Sequence, residues 1–99
     1  MAYEIEFSPD AIEHLTTFRK FEQRRITDSI ERQLRLEPLK DSRHRKPMRS
    51  NLLATRELRV GAFRAYYDVD QGERRVLIRA VGVKIRSRVF IGGQEVDLT

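Results

Sequence analysis

The sequence predicts an α+β fold: a small antiparallel β-sheet packed against an N-terminal two-helix hairpin, in the order β-α-α-β-β-β with a short strand at the end. Three observations predict it. Two stretches with helical spacing, Ile12/Leu15/Phe18 and Ile26/Ile30/Leu34, follow a short alternating run at the N-terminus. Strand-like runs separated by glycine-bearing turns fill the second half. The length, 99 residues, supports one hydrophobic core and no second, so residues 1–99 read as a single domain.

The elements follow in order. Tyr3, Ile5 and Phe7 alternate with Glu4 and Glu6, the period of a half-buried strand. Ser8-Pro9-Asp10 places a capping side chain, a proline at the first helical position and an acid in the first turn, which starts a helix running to about Lys20. A second helix, with Ile26, Ile30 and Leu34 four apart, stops at Leu36-Glu37-Pro38, where proline disfavours helix in the residue before it. Lys40 to Asn51 carries five cations against one acid and reads as a basic loop whose charge is not structural. Beyond it lie strands over Thr55–Val60, Phe63–Val69 and Arg74–Val81, then a short one around Val89–Ile91 that Gly92-Gly93 turns into an acidic tail.

Hairpin registers carry the reading toward function. With Gly61 and Ala62 as turn residues, Val60 faces Phe63, Arg59 faces Arg64 and Leu58 faces Ala65. A second loop centred on Gln71-Gly72 pairs Ala65 with Ile78, Tyr67 with Val76 and Arg64 with Arg79. This puts Leu58, Val60, Phe63, Ala65, Tyr67, Val76, Ile78 and Ala80 on one face and a row of Arg59, Arg64 and Arg79 on the other. Like charges on neighbouring strands repel, so the row binds an anion, splays into solvent, or is neutralised by Glu57 and Asp68 on the same face.

Charge and composition narrow the class. Twenty Lys and Arg against fifteen Asp and Glu leave a net charge of +5, and the excess sits in residues 40–64, with eight basic and two acidic side chains. Arginine predominates, and its planar fork suits phosphate and carboxylate partners. The absence of cysteine excludes disulfide scaffolds, zinc ribbons and thiol nucleophiles. His14 and His44 have no metal-pair or triad spacing and read as surface residues, and no glycine-rich phosphate loop is present. No apolar run approaches the roughly 18 residues of a membrane span, and MAYEIEFSPD lacks the parts of a signal peptide, so a cytoplasmic setting is expected.

The stretch LRVGAFRAYYDVDQGERRVLIRAVGVKIRSRVF, Leu58 to Phe90, and the element order around it resemble the RelE/ParE superfamily of toxins from type II toxin-antitoxin modules. The carriers are the Leu-Arg-x-Gly-x-[aromatic]-Arg core, a tyrosine three residues after that arginine, and V-x-x-V-G. The resemblance implies a sheet packed on a helical hairpin and a cognate antitoxin that wraps the toxin with an extended or helical, often acidic, segment. RelE-type members cut messenger RNA on the ribosome, whereas ParE-type members poison DNA gyrase without nuclease chemistry. Arg64 matches the family arginine after the aromatic, Arg59 matches a basic residue near the end of the preceding strand, and Lys84 and Arg86 match the basic pair after the glycine; the resemblance gives these four the catalytic roles.

Arg79, Arg88, Phe90, Arg45, Lys46 and Arg49 are the expected RNA-binding residues around them. Arginines can stabilise a phosphorane but hold their protons, so the base would be Lys84 or Glu57. Phe90 stands where RelE-type nucleases often have tyrosine, and Thr55 and Glu57 stand where they have lysines. The expectation is a ribosome-dependent messenger RNA endonuclease, with a gyrase inhibitor or a degenerate non-toxic member as alternatives. No metal or other cofactor is implied.

Overall fold

The computed structural model describes residues 2–98. The elements are β1 (Glu4–Phe7), α1 (Pro9–Thr16), α2 (Lys20–Leu34), β2 (Arg45–Pro47), β3 (Arg56–Val60), β4 (Phe63–Asp70), β5 (Arg75–Ile85), β6 (Arg88–Ile91) and β7 (Gln94–Val96). One sheet holds all seven strands in the order β2-β3-β4-β5-β6-β7, each neighbouring pair antiparallel, and β1 lies parallel beside β5. The long β5 serves both: Arg75–Ile78 pair with β1, and Gly82–Ile85 pair with β6.

Ser8 joins these parts. Its hydroxyl accepts the Ala11 N–H, the N-cap bond that starts α1, and donates to the Arg79 carbonyl at 3.1 Å. Helix α1 ends at Thr16, earlier than the spacing predicts. The Thr16 and Thr17 hydroxyls donate back to the Glu13 and His14 carbonyls, a competition that favours helix ends. Arg19 is extended, and its N–H donates to Glu22 Oε1 at the start of α2. Phe18, between the helices, meets the edge of Phe63 with ring centroids 5.1 Å apart, which holds the connection on the sheet.

Both helices cover one face. Ala11, Leu15, Ile26, Ile30 and Leu34 pack on Leu58, Val60, Phe63, Ala65, Tyr67, Val76, Ile78 and Val81. The first hairpin has the predicted register, Arg59 opposite Arg64 and Leu58 opposite Ala65. The second does not: Tyr67 pairs with Ile78 and Val69 with Val76 across a four-residue loop, and the register then shifts between Tyr66 and Tyr67. That bulge leaves Arg79 without a partner residue, so Arg64 faces Gly82 and Ala65 faces Val81. Val81 therefore enters the core in place of Ala80, which turns to the far face.

The basic loop also holds more structure than expected. Arg45–Pro47 pair with β3, and the Arg45 guanidinium donates to the carbonyls of Gln33 and Glu37 at the end of α2. Arg45 thus satisfies carbonyls that a helix C-terminus leaves open. Buried Arg56 donates to Asp41 and to the Tyr67 hydroxyl, which donates on to the Pro38 carbonyl. Burial works to lower the Arg56 pKa, but the bonds to Asp41 and Tyr67 leave it raised, so the group stays charged. His14 is no bystander either: its Nδ1 accepts the Val81 N–H at 3.2 Å.

Candidate functional site

The far face of the sheet gathers the charges that the sequence singles out. Alternation along β3 and β4 puts Glu57, Arg59, Arg64 and Tyr66 there, opposite the helix-covered side chains. Glu57 Oε1 lies 3.3 Å from Arg59 Nε and 3.7 Å from Arg64 Nε, so one carboxylate oxygen stands between the two facing guanidiniums. Lys46, paired opposite Glu57 in β2, adds a third cation. The predicted row of three arginines is broken, because Arg79 sits at the bulge with Asp68 3.8 Å away. The like-charge conflict is met internally by Glu57 and Asp68.

Arg64 is held hardest. One of its terminal nitrogens donates to the carbonyls of Gly61 at 2.8 Å and Phe63 at 2.9 Å, and the residue is only 8% exposed. The guanidinium locks the β3–β4 turn at the same time as it balances Glu57. Arg59 is more open, and Lys84 is exposed on the same face, two residues beyond Gly82. Arg49 and Lys46 border a shallow cavity of about 300 Å³ beside Glu57 and Leu98.

Other expected residues are placed apart. Phe90 pairs with Val83, a core-side residue, while its neighbours Val89 and Ile91 point to the far face. Its ring therefore lies on the opposite side of the sheet from Arg64. Arg88 shares that side and reaches Glu95 at 3.7 Å. Arg86 is at the tip of the β5–β6 turn, where both Arg86 and Ser87 adopt positive φ. Among the described residues, no group of three or more His, Asp or Glu side chains could hold a metal ion.

Sequence reasoning missed two features. A second apolar cluster covers part of the far face: Ala54, Tyr66, Ala80 and Ile91, with Met48, Leu53, Val89, Val96 and Leu98 packed on it. Tyr66 is fully buried there, and its hydroxyl has no hydrogen-bond partner. Burial, and then the Glu57 charge, push its phenol pKa up, so it stays protonated. An unmet hydroxyl costs folding free energy, so Tyr66→Phe is expected to leave stability unchanged or raise it by up to about 1–2 kcal/mol, read from urea unfolding. The second feature is a groove along α2 lined by Arg24, Arg25 and Arg32. Arg24 and Arg32 stand eight residues apart, two turns of one helix flank, which is the signal the sequence carries for it.

A helix pair on one face of a sheet, and on the other a cluster of cations around one carboxylate, define a small α+β protein with a basic face. The sequence matches the family described as ParE toxin of type II toxin-antitoxin system, parDE, over residues 5–86, and the chain belongs to that family within the RelE/ParE superfamily. The fold is similar to that of the toxin-antitoxin complex RelBE2 from Mycobacterium tuberculosis, with a TM-score of 0.73 and 26% identity over 85% of this chain and 100% of the other. It is also similar to the archaeal RelE–RelB complex from Pyrococcus horikoshii OT3, with a TM-score of 0.69 and 18% identity over 87% of this chain and 99% of the other. No curated protein is a significant match. The V-x-x-V-G of the family resemblance falls on Ile78-Arg79-Ala80-Val81-Gly82, with isoleucine at its first position, and its glycine is the residue opposite Arg64.

Proposed function

We propose that this toxin acts by binding, as a ParE-type inhibitor of DNA gyrase held off by a cognate antitoxin, and that its arginine cluster is not an RNA-cleaving centre. The observation that carries this reading is the state of Arg64. A phosphorane-stabilising arginine needs its fork free for the phosphate, and here one arm, Nη1, donates to the Gly61 and Phe63 carbonyls, Nε lies 3.7 Å from the Glu57 carboxylate, and the residue is only 8% exposed. Phe90, the residue expected to stack on a base, faces the other side of the sheet. A binding module has no need of either group in a reactive position.

A nuclease reading has its own support. Arg59, Arg64 and Lys84 share one face, and the two solved structures named above are of RelE-type toxins with their antitoxins. One pair of assays separates the two. The purified toxin is added to a gyrase supercoiling reaction, and to a translation reaction followed by primer extension on a defined messenger with and without ribosomes. Gyrase inhibition with intact messenger is the expected result. Ribosome-dependent cuts at codon positions would overturn the proposal and make Lys84 and Glu57 the first candidates for the base.

A further inference from the structure

Strand β5 outruns its neighbour β4 at one end of the sheet. The ladder between them closes at Phe63 opposite Val83, and the Lys84 N–H adds one bond to the Ala62 carbonyl. On the other side, β7 pairs with β6 only over residues 89–91. Residues 85–88 therefore project as a two-stranded ribbon with no third strand beside them, closed by a turn at Arg86 and Ser87. Residues 84–88 are all exposed. No aspartate or glutamate occurs between Glu73 and Glu95, so both strands of the ribbon come from a stretch without acids.

The ribbon carries cations on both of its faces. Lys84 pairs with Val89 and faces the far side of the sheet, while Arg88 pairs with Ile85 and faces the helix side, where Glu95 is 3.7 Å away. Arg86 stands at the tip with φ 50°, and Ser87 follows with φ 70°. Two-residue turns of this kind ordinarily use Asn-Gly or Asp-Gly, so the arginine is held there against the preference of the backbone. Such strain collects at binding and catalytic sites. Ile85, 52% exposed, puts an apolar group beside Arg88. The adjacent β3–β4 turn brings a further cation, because a methyl group on Gly61 would meet the Arg25 guanidinium at 2.7 Å.

We propose that this ribbon enters the major groove of duplex DNA, with Arg86 on the base edges at the groove floor and Lys84 and Arg88 on the phosphates of the two walls. A sheet with side chains on both faces occupies about 10 Å, and the major groove of B-DNA is about 12 Å wide. Arginine meets guanine O6 and N7 there with both arms of its fork, and the thymine methyl gives Ile85 an apolar partner. A single strand has one backbone and cannot engage cations on opposite faces, and the major groove of an RNA duplex is too narrow for side chains to read. A phosphate-cleaving site needs its cations converging on one phosphate, whereas alternation sends Lys84 and Arg88 apart. The inference does not rest on the gyrase reading, because it concerns a nucleic acid and is tested by binding alone.

The test uses the purified full chain and a fluorescein-labelled DNA duplex of about 20 base pairs, read by anisotropy across a salt series. Arg86→Asn is the central variant, because asparagine accepts positive φ and the change removes the charged fork without straining the turn. It is expected to weaken binding by about tenfold while the unfolding midpoint stays level or rises. Lys84→Gln with Arg88→Gln should lower the slope of log K against log salt by about two. The matched control, Lys40→Gln with Arg74→Gln, removes two charges that lie past the end of α2 and before the start of β5, and should keep affinity within about twofold. Methyl green, a major-groove ligand, should displace the protein, and netropsin, a minor-groove ligand, should not. The proposal is overturned if the duplex does not bind at low salt, if Arg86→Asn binds like wild type, or if the control loses as much as the ribbon variants. Competition by netropsin instead of methyl green, or tighter binding of a single-stranded RNA of equal length, would overturn it as well.

Discussion

Arg64→Ala is expected to cost roughly 2–4 kcal/mol of stability, and any loss of toxicity should follow the loss of folded protein. Three partners are abandoned together: the Gly61 and Phe63 carbonyls and the Glu57 carboxylate, all near a guanidinium that water barely reaches. Removal of the facing positive charge relieves Arg59 a little, because Arg59 sits directly opposite, but Arg59 then holds Glu57 alone. Arg64→Lys keeps the charge but not the guanidinium that reaches the two carbonyls through Nη1 and Glu57 through Nε at once, so it should recover only part of the deficit. Urea unfolding of both variants, beside growth arrest corrected for folded fraction, gives the measurement. A nuclease would behave differently: Arg64→Ala would abolish RNA cleavage while the unfolding midpoint stayed near wild type, and that result would return the arginine to a catalytic role.

Legibility of the fold varied with the kind of signal each element leaves. The first hairpin could be registered residue by residue because Gly61 takes positive φ, as its position in a tight turn requires. The second could not, because its positive-φ residue is Arg74 while Gly72 is not in that region, so the glycine pointed to the wrong centre of the loop. The bulge at Arg79 then reversed which side chains face the core beyond it, a shift that depends on how β1 and β6 share the edge of β5. The strand also ran past Gly82 to a turn made by Arg86 and Ser87, both with positive φ that their residue types do not advertise. β2 was hidden because three residues of a charged loop make a strand only when β3 is there to pair with them.

The candidate site shows the same division. Arg59 and Arg64 as facing arginines, with Glu57 on the same face, are legible in the sequence because all three follow from one tight turn and the period of two. What alternation cannot give is where a long side chain ends. Arg45 looked like part of an RNA-binding loop and instead closes the end of α2. Tyr66 and Tyr67 are adjacent in sequence, yet Tyr67 finds the Pro38 carbonyl and Arg56 on the core side while the Tyr66 hydroxyl is buried without a partner under the second cluster.

Gly82→Ala is expected to destabilise the protein by about 3 kcal/mol, the upper part of the range for overpacking, and to do so locally. The added methyl would sit 2.6 Å from the Phe90 carbonyl oxygen and 2.8 Å from Ile91 Cγ1. The first contact is with backbone, so no rotamer change relieves it and β6 must move away from β5. The two strands pair over Gly82–Ile85 and Arg88–Ile91, and β7 hangs on β6 alone. Displacing β6 also withdraws Ile91, Val89 and Val96 from the far-face cluster that buries Tyr66. The helix-covered core is built largely on β3, β4 and the first half of β5 and lies outside the clash. Hydrogen exchange should therefore show faster exchange over residues 82–98, while protection in α2 and β4 falls only with global stability. Equal loss of protection throughout would mean that the β5–β6 hairpin is part of the folding core, and the glycine of the V-x-x-V-G motif would then guard the whole fold rather than its outer edge.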